Sequence, residues 1–248
     1  MPVRETPLKQ LLAFALDAEG RVKDKALARR AGSLCRAIYA WASAEHCVAP
    51  ESKWFEDCRD ILRSRFTYAL LAGARCAGVL ALKARDAEPW LVEVFRSSGA
   101  QARAFMLRHS ILKPPTPGSA SDQLVLMGLA DRAKSVQEWA CEAAADSGEA
   151  RYAPMMRVCL AAQKTLASRR TVELYLSIVE RGYWLDTPSS SSRRHYFLKV
   201  DSGYVASSVP ARAFAKHSEP EVMMRVLDSL RHPRGEWAEW LRSFEEPH

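Results

Sequence analysis

Along most of the chain, apolar side chains return every three or four residues, the interval that lines one face of an α-helix. Thr6-Pro7 opens the first such segment, since threonine caps a helix and proline at the first helical position gives up no needed donor. Leu8, Leu11, Leu12 and Ala15 then share a face, and Gly20 ends the segment. A second helix is predicted from about Asp24 to Cys47 on the spacing of Leu27, Leu34, Ile38 and Trp41, with Pro50 as its stop. Ser52 opens a third helical region through Trp54, Phe55, Cys58, Ile61, Leu62, Phe66, Ala69 and Leu70, which Gly73 and Gly78 are expected to divide.

From Pro89 the elements shorten and come in pairs. The pattern predicts Trp90–Ser97 with Ala100–Ser110, Asp122–Ala130 with Arg132–Ala145, and Pro154–Leu166 with Arg169–Arg181. The run from Lys113 to Ser121 reads as a loop, and Gly182 as a left-handed helix cap. Residues 187–194 read as a flexible exposed loop, residues 195–209 are ambiguous, and Pro220–Leu230 and Glu236–Phe244 close the chain as helices. Ala102, Val136, Val172 and Glu236 fall at steps of 34, 36 and twice 32 residues. Helix pairs at such a period bury their apolar faces only against their neighbours. The predicted fold is all-α: stacked helix pairs in a short right-handed α-solenoid with little or no β-sheet. Residues 1–248 form a single domain in this reading, with N-terminal helices over 1–86 and degenerate repeats over 87–248.

One repeat carries a family resemblance. Tyr152, Met155 and Met156, followed by Leu174, Tyr175, Ile178, Gly182 and Asp186, resemble the pentatricopeptide unit, with Leu185 where that unit has proline and about three extra residues between the helices. Asp131, Val136 and Ala140 resemble a HEAT unit instead, and residues 90–110 are similarly HEAT-like. The first resemblance implies binding of single-stranded organellar RNA, and the second implies protein partners. Repeats that read bases use two or three polar side chains each. Here the corresponding helix starts with Ala153 and Pro154, which favours backbone binding or a structural place in a ribonucleoprotein.

Composition agrees with a helical globular chain: 48% of the 248 residues are hydrophobic and only 11 are glycine. Charge adds information that periodicity does not. The net charge is +7, and residues 151–200 alone hold nine cations against three carboxylates. The nine are Arg151, Arg157, Lys164, Arg169, Arg170, Arg181, Arg193, Arg194 and Lys199. Seven are arginine, which makes bidentate contacts to phosphate that lysine cannot. Gathered on one face they would bind RNA in a salt-sensitive, sequence-tolerant way; scattered, they would only solvate the surface or meet an acidic protein.

Candidate chemistry is sparse. Ser110 and Lys113 have Ser-x-x-Lys spacing, but Pro114 and Pro115 follow and no companion motif is visible, which points to chance. His46 and Cys47 are sequence neighbours on a helix and do not face each other. Gly73 and Gly78 lack the Lys-Ser or Lys-Thr of a phosphate-binding loop. Trp184 and Asp186 beside Arg181, Arg193 and Arg194 are the nearest approach to a HEAT-like DNA glycosylase, against the plainer reading of a packed tryptophan and a loop aspartate. The six cysteines, Cys35, Cys47, Cys58, Cys76, Cys141 and Cys159, form no C-x-x-C pair and mostly sit in apolar helical stretches, where free thiols behave as small buried hydrophobes of a reducing compartment.

No stretch reaches the ~18 apolar residues of a membrane span. Glu5, Asp17 and Glu19 interrupt the basic pattern of a targeting peptide, so an ordinary first helix is expected, with import left open. The expected function is a non-catalytic helical-repeat protein with no cofactor or metal, binding RNA or an RNA-protein complex. The rivals are a HEAT-like protein-interaction scaffold or inhibitor of an acidic protein, and the glycosylase. The expected location is intracellular, organellar if the pentatricopeptide resemblance holds and cytoplasmic otherwise.

Overall fold

The computed structural model describes residues 24–44, 49–113, 115–181, 183–185, 193–200 and 203–210, together with Lys9 and Ala13, both helical. Residues 24–181 are helical throughout their regular structure. The chain divides into two compact units, Met1–Ala143 and Ala144–His248.

Within the first unit, α1 (Lys25–Ser43) is capped at its N-terminus by Asp24, whose carboxylate accepts the Leu27 N–H at 3.0 Å. α2 (Ser52–Leu62) and α3 (Thr67–Lys83) follow. The helical region after Ser52 is broken at residues 63–66, and Gly73 and Gly78 lie in mid-helix instead of dividing it. Their use is close packing. A β-carbon at Gly73 would stand 2.9 Å from Leu62 Cγ of α2, and one at Gly78 would stand 2.7 Å from the backbone of Ser110.

α3 explains the layout of this unit. It is buried on nearly every side through Ala69, Leu70, Ala72, Ala74, Cys76, Ala77, Val79 and Leu80, as a helix apolar all round must be. α1, α2, α4 (Glu88–Ser97) and α5 (Ala100–His109) all pack on it. Ser110 Oγ donates to the Ala74 carbonyl at 2.7 Å, fixing the end of α5 to α3. α6 (Ala120–Leu129) packs on both α4 and α5, and α7 (Lys134–Ser147) begins in this unit. Between α6 and α7, Asp131 accepts from Arg103 of α5 through two of its guanidinium nitrogens, Nε (2.6 Å) and Nη2 (3.1 Å), and from the Ala133 N–H at 2.8 Å.

The second unit contains a 3-10 turn (Ala150–Tyr152), α8 (Ala153–Ala162) and α9 (Leu166–Arg181). α9 begins at Leu166, earlier than the apolar pattern suggests, because Thr165 caps it: its Oγ1 accepts the Ser168 N–H at 3.2 Å. The seam between α8 and α9 is built from Met156, Cys159, Val172, Leu176, Ile178 and Val179, all buried, with Tyr152 buried at the start of the hairpin.

The expectation of little or no β-sheet does not hold beyond α9. β1 (Tyr183–Leu185), β2 (Arg193–Val200) and β3 (Gly203–Pro210) form an antiparallel sheet in the order β1-β2-β3. Trp184 stands opposite Phe197, Phe197 opposite Ala206, and Val200 opposite Gly203, so only two residues separate the β2 and β3 ladders. The physical reason is local: aromatic and branched residues at 195–200 and 204–209 favour a pleated surface, and a two-residue connection suits a hairpin. Arg193 and Arg194, expected in a loop, are therefore strand residues. The helices expected before Gly20 and after Pro220, and the left-handed Gly182, lie outside the described residues apart from Lys9 and Ala13.

Five cysteines are described, Cys35, Cys58, Cys76, Cys141 and Cys159, and all are buried free thiols in helices, as small hydrophobes would be. No helix among the described residues is long and apolar enough to cross a membrane.

Candidate nucleic-acid interface

The nine cations of residues 151–200 are carried by the α8–α9 hairpin and by β2. All six on the hairpin, Arg151, Arg157, Lys164, Arg169, Arg170 and Arg181, are exposed, against two carboxylates in the same stretch, Glu173 and Glu180. One carboxylate is already engaged. Arg157 Nε donates to Glu180 Oε1 at 2.8 Å and so ties α8 to α9. Arg151 lies over the Tyr152 ring, 4.6 Å from its centroid, and its Nη2 donates to the Tyr152 hydroxyl at 2.8 Å. Lys164, Arg169 and Arg181 meet no carboxylate among the described residues.

An antiparallel hairpin sorts these residues by position. Lys164, Arg169 and Arg170 gather at the turn between the helices, where the N-terminus of α9 adds its own positive potential. Arg151 and Arg181 belong to the opposite end, near which β1 and β2 also pack on α9. Arg170 and Arg181 are eleven residues apart, which returns to the same face of α9 about 16 Å further along the axis. Arg193 and Arg194 pair with Pro210 and Val209, and Lys199 with Tyr204. Along the hairpin, the six described cations thus fall into a turn group and an end group, with Arg157 between them.

The residues that resemble the pentatricopeptide unit are mostly packing residues. Tyr152, Met156 and Ile178 are buried, and Met155, Leu174 and Tyr175 are half-buried. Ala153 is buried and Pro154 exposed at the start of α8, so that turn offers no polar side chain to a base. Two features of the same hairpin escape sequence reasoning. Val158 and Leu166 are 70% and 71% exposed, the large hydrophobic side chains most open to solvent among the described residues. The apolar pattern alone assigns both to a helix face without saying which one.

The other candidate groups resolve into structure. Ser110, half of the Ser-x-x-Lys pair, is buried and spends its hydroxyl on the Ala74 carbonyl. Trp184 is half-buried in β1, while Asp186, His46 and Cys47 lie outside the described residues. No cluster of three or more histidine, cysteine or acidic side chains among the described residues could hold a metal ion.

One histidine departs strongly from its ordinary behaviour. His109, stacked on Phe105 with ring centroids 5.8 Å apart, has its pKa lowered from 6.5 to about 4, chiefly by burial and then by the Arg75 and Arg108 charges. Arg108 is itself held over the Trp139 ring at 4.3 Å. The unfolded chain binds a proton that the folded chain refuses between these two values. Stability from this group is present above pH 6.5 and is lost as pH falls from 6.5 toward 4. The urea midpoint should fall over that window, and that of His109→Gln should fall less; equal pH dependence in both proteins would contradict the assignment.

Compared with protein-family models, with curated proteins and with solved structures, the chain matches none.

Proposed function

We propose that the chain is a non-catalytic helical-repeat protein that binds RNA, or holds a structural place in a ribonucleoprotein assembly, through phosphate contacts of its basic hairpin. The observation that carries this reading is the surface of α8–α9, where six exposed cations stand against two carboxylates and at least three of the six meet no carboxylate among the described residues. Such a surface binds polyanions by releasing counterions and is indifferent to sequence. The solenoid part of the reading rests on repeat positions. Ala102, Val136 and Val172 are each buried on the second helix of a pair, and in the first unit α4 packs on both α5 and α6. Glu236 lies outside the described residues. An organellar location would follow from the pentatricopeptide resemblance, and a cytoplasmic one otherwise.

Titration of two unrelated single-stranded RNAs by fluorescence anisotropy in low salt tests the proposal. Both should bind alike. Replacing Lys164, Arg169 and Arg170 by glutamine should weaken both by the same factor and lower the log-log salt slope by roughly 0.7 for each phosphate that is no longer neutralised. Absence of binding at ~10 μM, inside the usual range for non-specific contacts, would overturn it. That result would favour a second reading, a HEAT-like scaffold for an acidic protein, for which the exposed Val158 and Leu166 beside the cations are the specific support.

A further inference from the structure

The hydrophobic centre of the first unit contains three thiols on three successive helices: Cys35 of α1, Cys58 of α2 and Cys76 of α3, all fully buried. They are not equivalent. Cys58 Sγ donates to the Gly73 carbonyl at 3.1 Å, a bond that reinforces the close approach of α2 to α3. Cys35 Sγ and Cys76 Sγ face each other at 3.5 Å, with a separation of 41 in sequence.

We propose that Cys35 and Cys76 form a redox latch, in which a peroxide-class oxidant joins them in a disulfide that fastens α1 to α3. A disulfide needs its sulfurs about 2.05 Å apart. The two already touch, so about 1.5 Å of closure, shared between two side-chain torsions and the helix positions, completes the bond. In the balanced step one thiolate attacks a peroxide oxygen, the O–O bond breaks, and a sulfenic acid forms with release of water. The second thiolate displaces the hydroxyl oxygen from that sulfur as a second water. Two electrons and two protons leave the thiols, and peroxide becomes two waters.

Burial also sets when the reaction runs. The hydrogen bond with Cys35 and the loss of solvent hold the Cys76 thiol well above its ordinary value, and burial raises Cys58 similarly. Thiols are not nucleophiles until ionised. The closed core is therefore unreactive, and oxidation waits for α1 to swing away from α3. On the outside, Arg30 resists that motion: its Nη2 donates to Asp57 at 2.6 Å and to Asp60 at 2.9 Å on α2. The latch thus records episodes in which α1 has opened in the presence of oxidant. This inference does not depend on RNA binding.

The test is treatment of the full chain with hydrogen peroxide in native buffer, alkylation of remaining thiols, and intact-mass and peptide analysis. A slow loss of about 2 Da, mapped to Cys35–Cys76, is expected in the wild type and in Cys58→Ala, with a higher urea midpoint that dithiothreitol reverses. Arg30→Gln should accelerate the loss. Retention of all six alkylatable thiols, a disulfide mapped to another pair, or oxygen added to one sulfur without a bond would each overturn the latch. An unchanged rate in Arg30→Gln would overturn its gating by α1. The wild-type and Cys58→Ala maps decide the matter even where Cys35→Ser or Cys76→Ser fails to fold.

Discussion

Replacing Gly78 with valine is expected to lower the free energy of unfolding by about 3 kcal/mol, and with alanine by about 1–2 kcal/mol, in urea denaturation at neutral pH. In an exposed helix the alanine would stabilise by about 1 kcal/mol, because glycine is the poorer helix former. Here the sign reverses. The added β-carbon would lie 2.7 Å from Ser110 Cα and 2.8 Å from the Ser110 carbonyl oxygen, both backbone atoms that no rotamer change can move. Relief requires α3 and the end of α5 to separate, which stretches the 2.7 Å bond from Ser110 Oγ to the Ala74 carbonyl. Gly99→Ala is the control, since nothing lies within 4 Å of a β-carbon there; it should change stability by less than about 0.5 kcal/mol. A Gly78→Ala protein as stable as the wild type would mean that α3 and α5 are not this close.

Gly73 and Gly78 also show what periodicity leaves out. In sequence they look like breaks, because glycine costs helix stability and marks ends. In the fold they are sites where neighbouring backbone or side chains approach α3 too closely for any larger residue. That distinction depends on Leu62 and Ser110, distant in sequence, and no local pattern contains it. By contrast the pairs α4–α5 and α6–α7 were legible to within about two residues, since amphipathic spacing and flanking Ser, Gly and Pro are local signals. β1 was not, because Tyr183-Trp184-Leu185 continues the apolar spacing of α9 and a three-residue strand has no periodicity of its own. The cations of the candidate interface were legible as a surplus of charge. The separation of the six hairpin cations into a turn group and an end group follows from the antiparallel hairpin.

Breaking the ion pair between Arg103 and Asp131 should have an effect of similar size, for a different reason. Arg103 of α5 donates twice to Asp131 and once more, through Nη1, to the Ser98 carbonyl that ends α4. Asp131 in turn closes the turn that leads into α7 by accepting the Ala133 N–H, and the Asp131 carbonyl accepts from Gln137 Nε2 at 2.7 Å. One ion pair therefore positions parts of three helices, α4, α5 and α7, and it is largely shielded: the side chains are 22% and 9% exposed. Asp131→Ala leaves a guanidinium poorly solvated and removes the acceptor of the Ala133 N–H, for an expected loss of about 3 kcal/mol, at the lower edge of the range for buried pairs because Arg103 keeps some water. Arg103→Ala should cost about as much, and the double variant clearly less than the two together, since each single change already strands its partner. The pH dependence supplies an independent check. Burial raises the Asp131 carboxyl, but the Arg103 hydrogen bonds and the Ala133 N–H outweigh it and hold the group below its ordinary 3.8. With the folded value depressed, the stabilisation is complete above pH 3.8 and is lost as pH falls below it. Asp131→Asn keeps an acceptor for Ala133 but has no proton to gain. Its stability deficit relative to the wild type should be constant from about pH 7 to pH 5 and shrink below about pH 3.8, and a deficit that stays constant to about pH 2.5 would show that the charge on Asp131 contributes nothing.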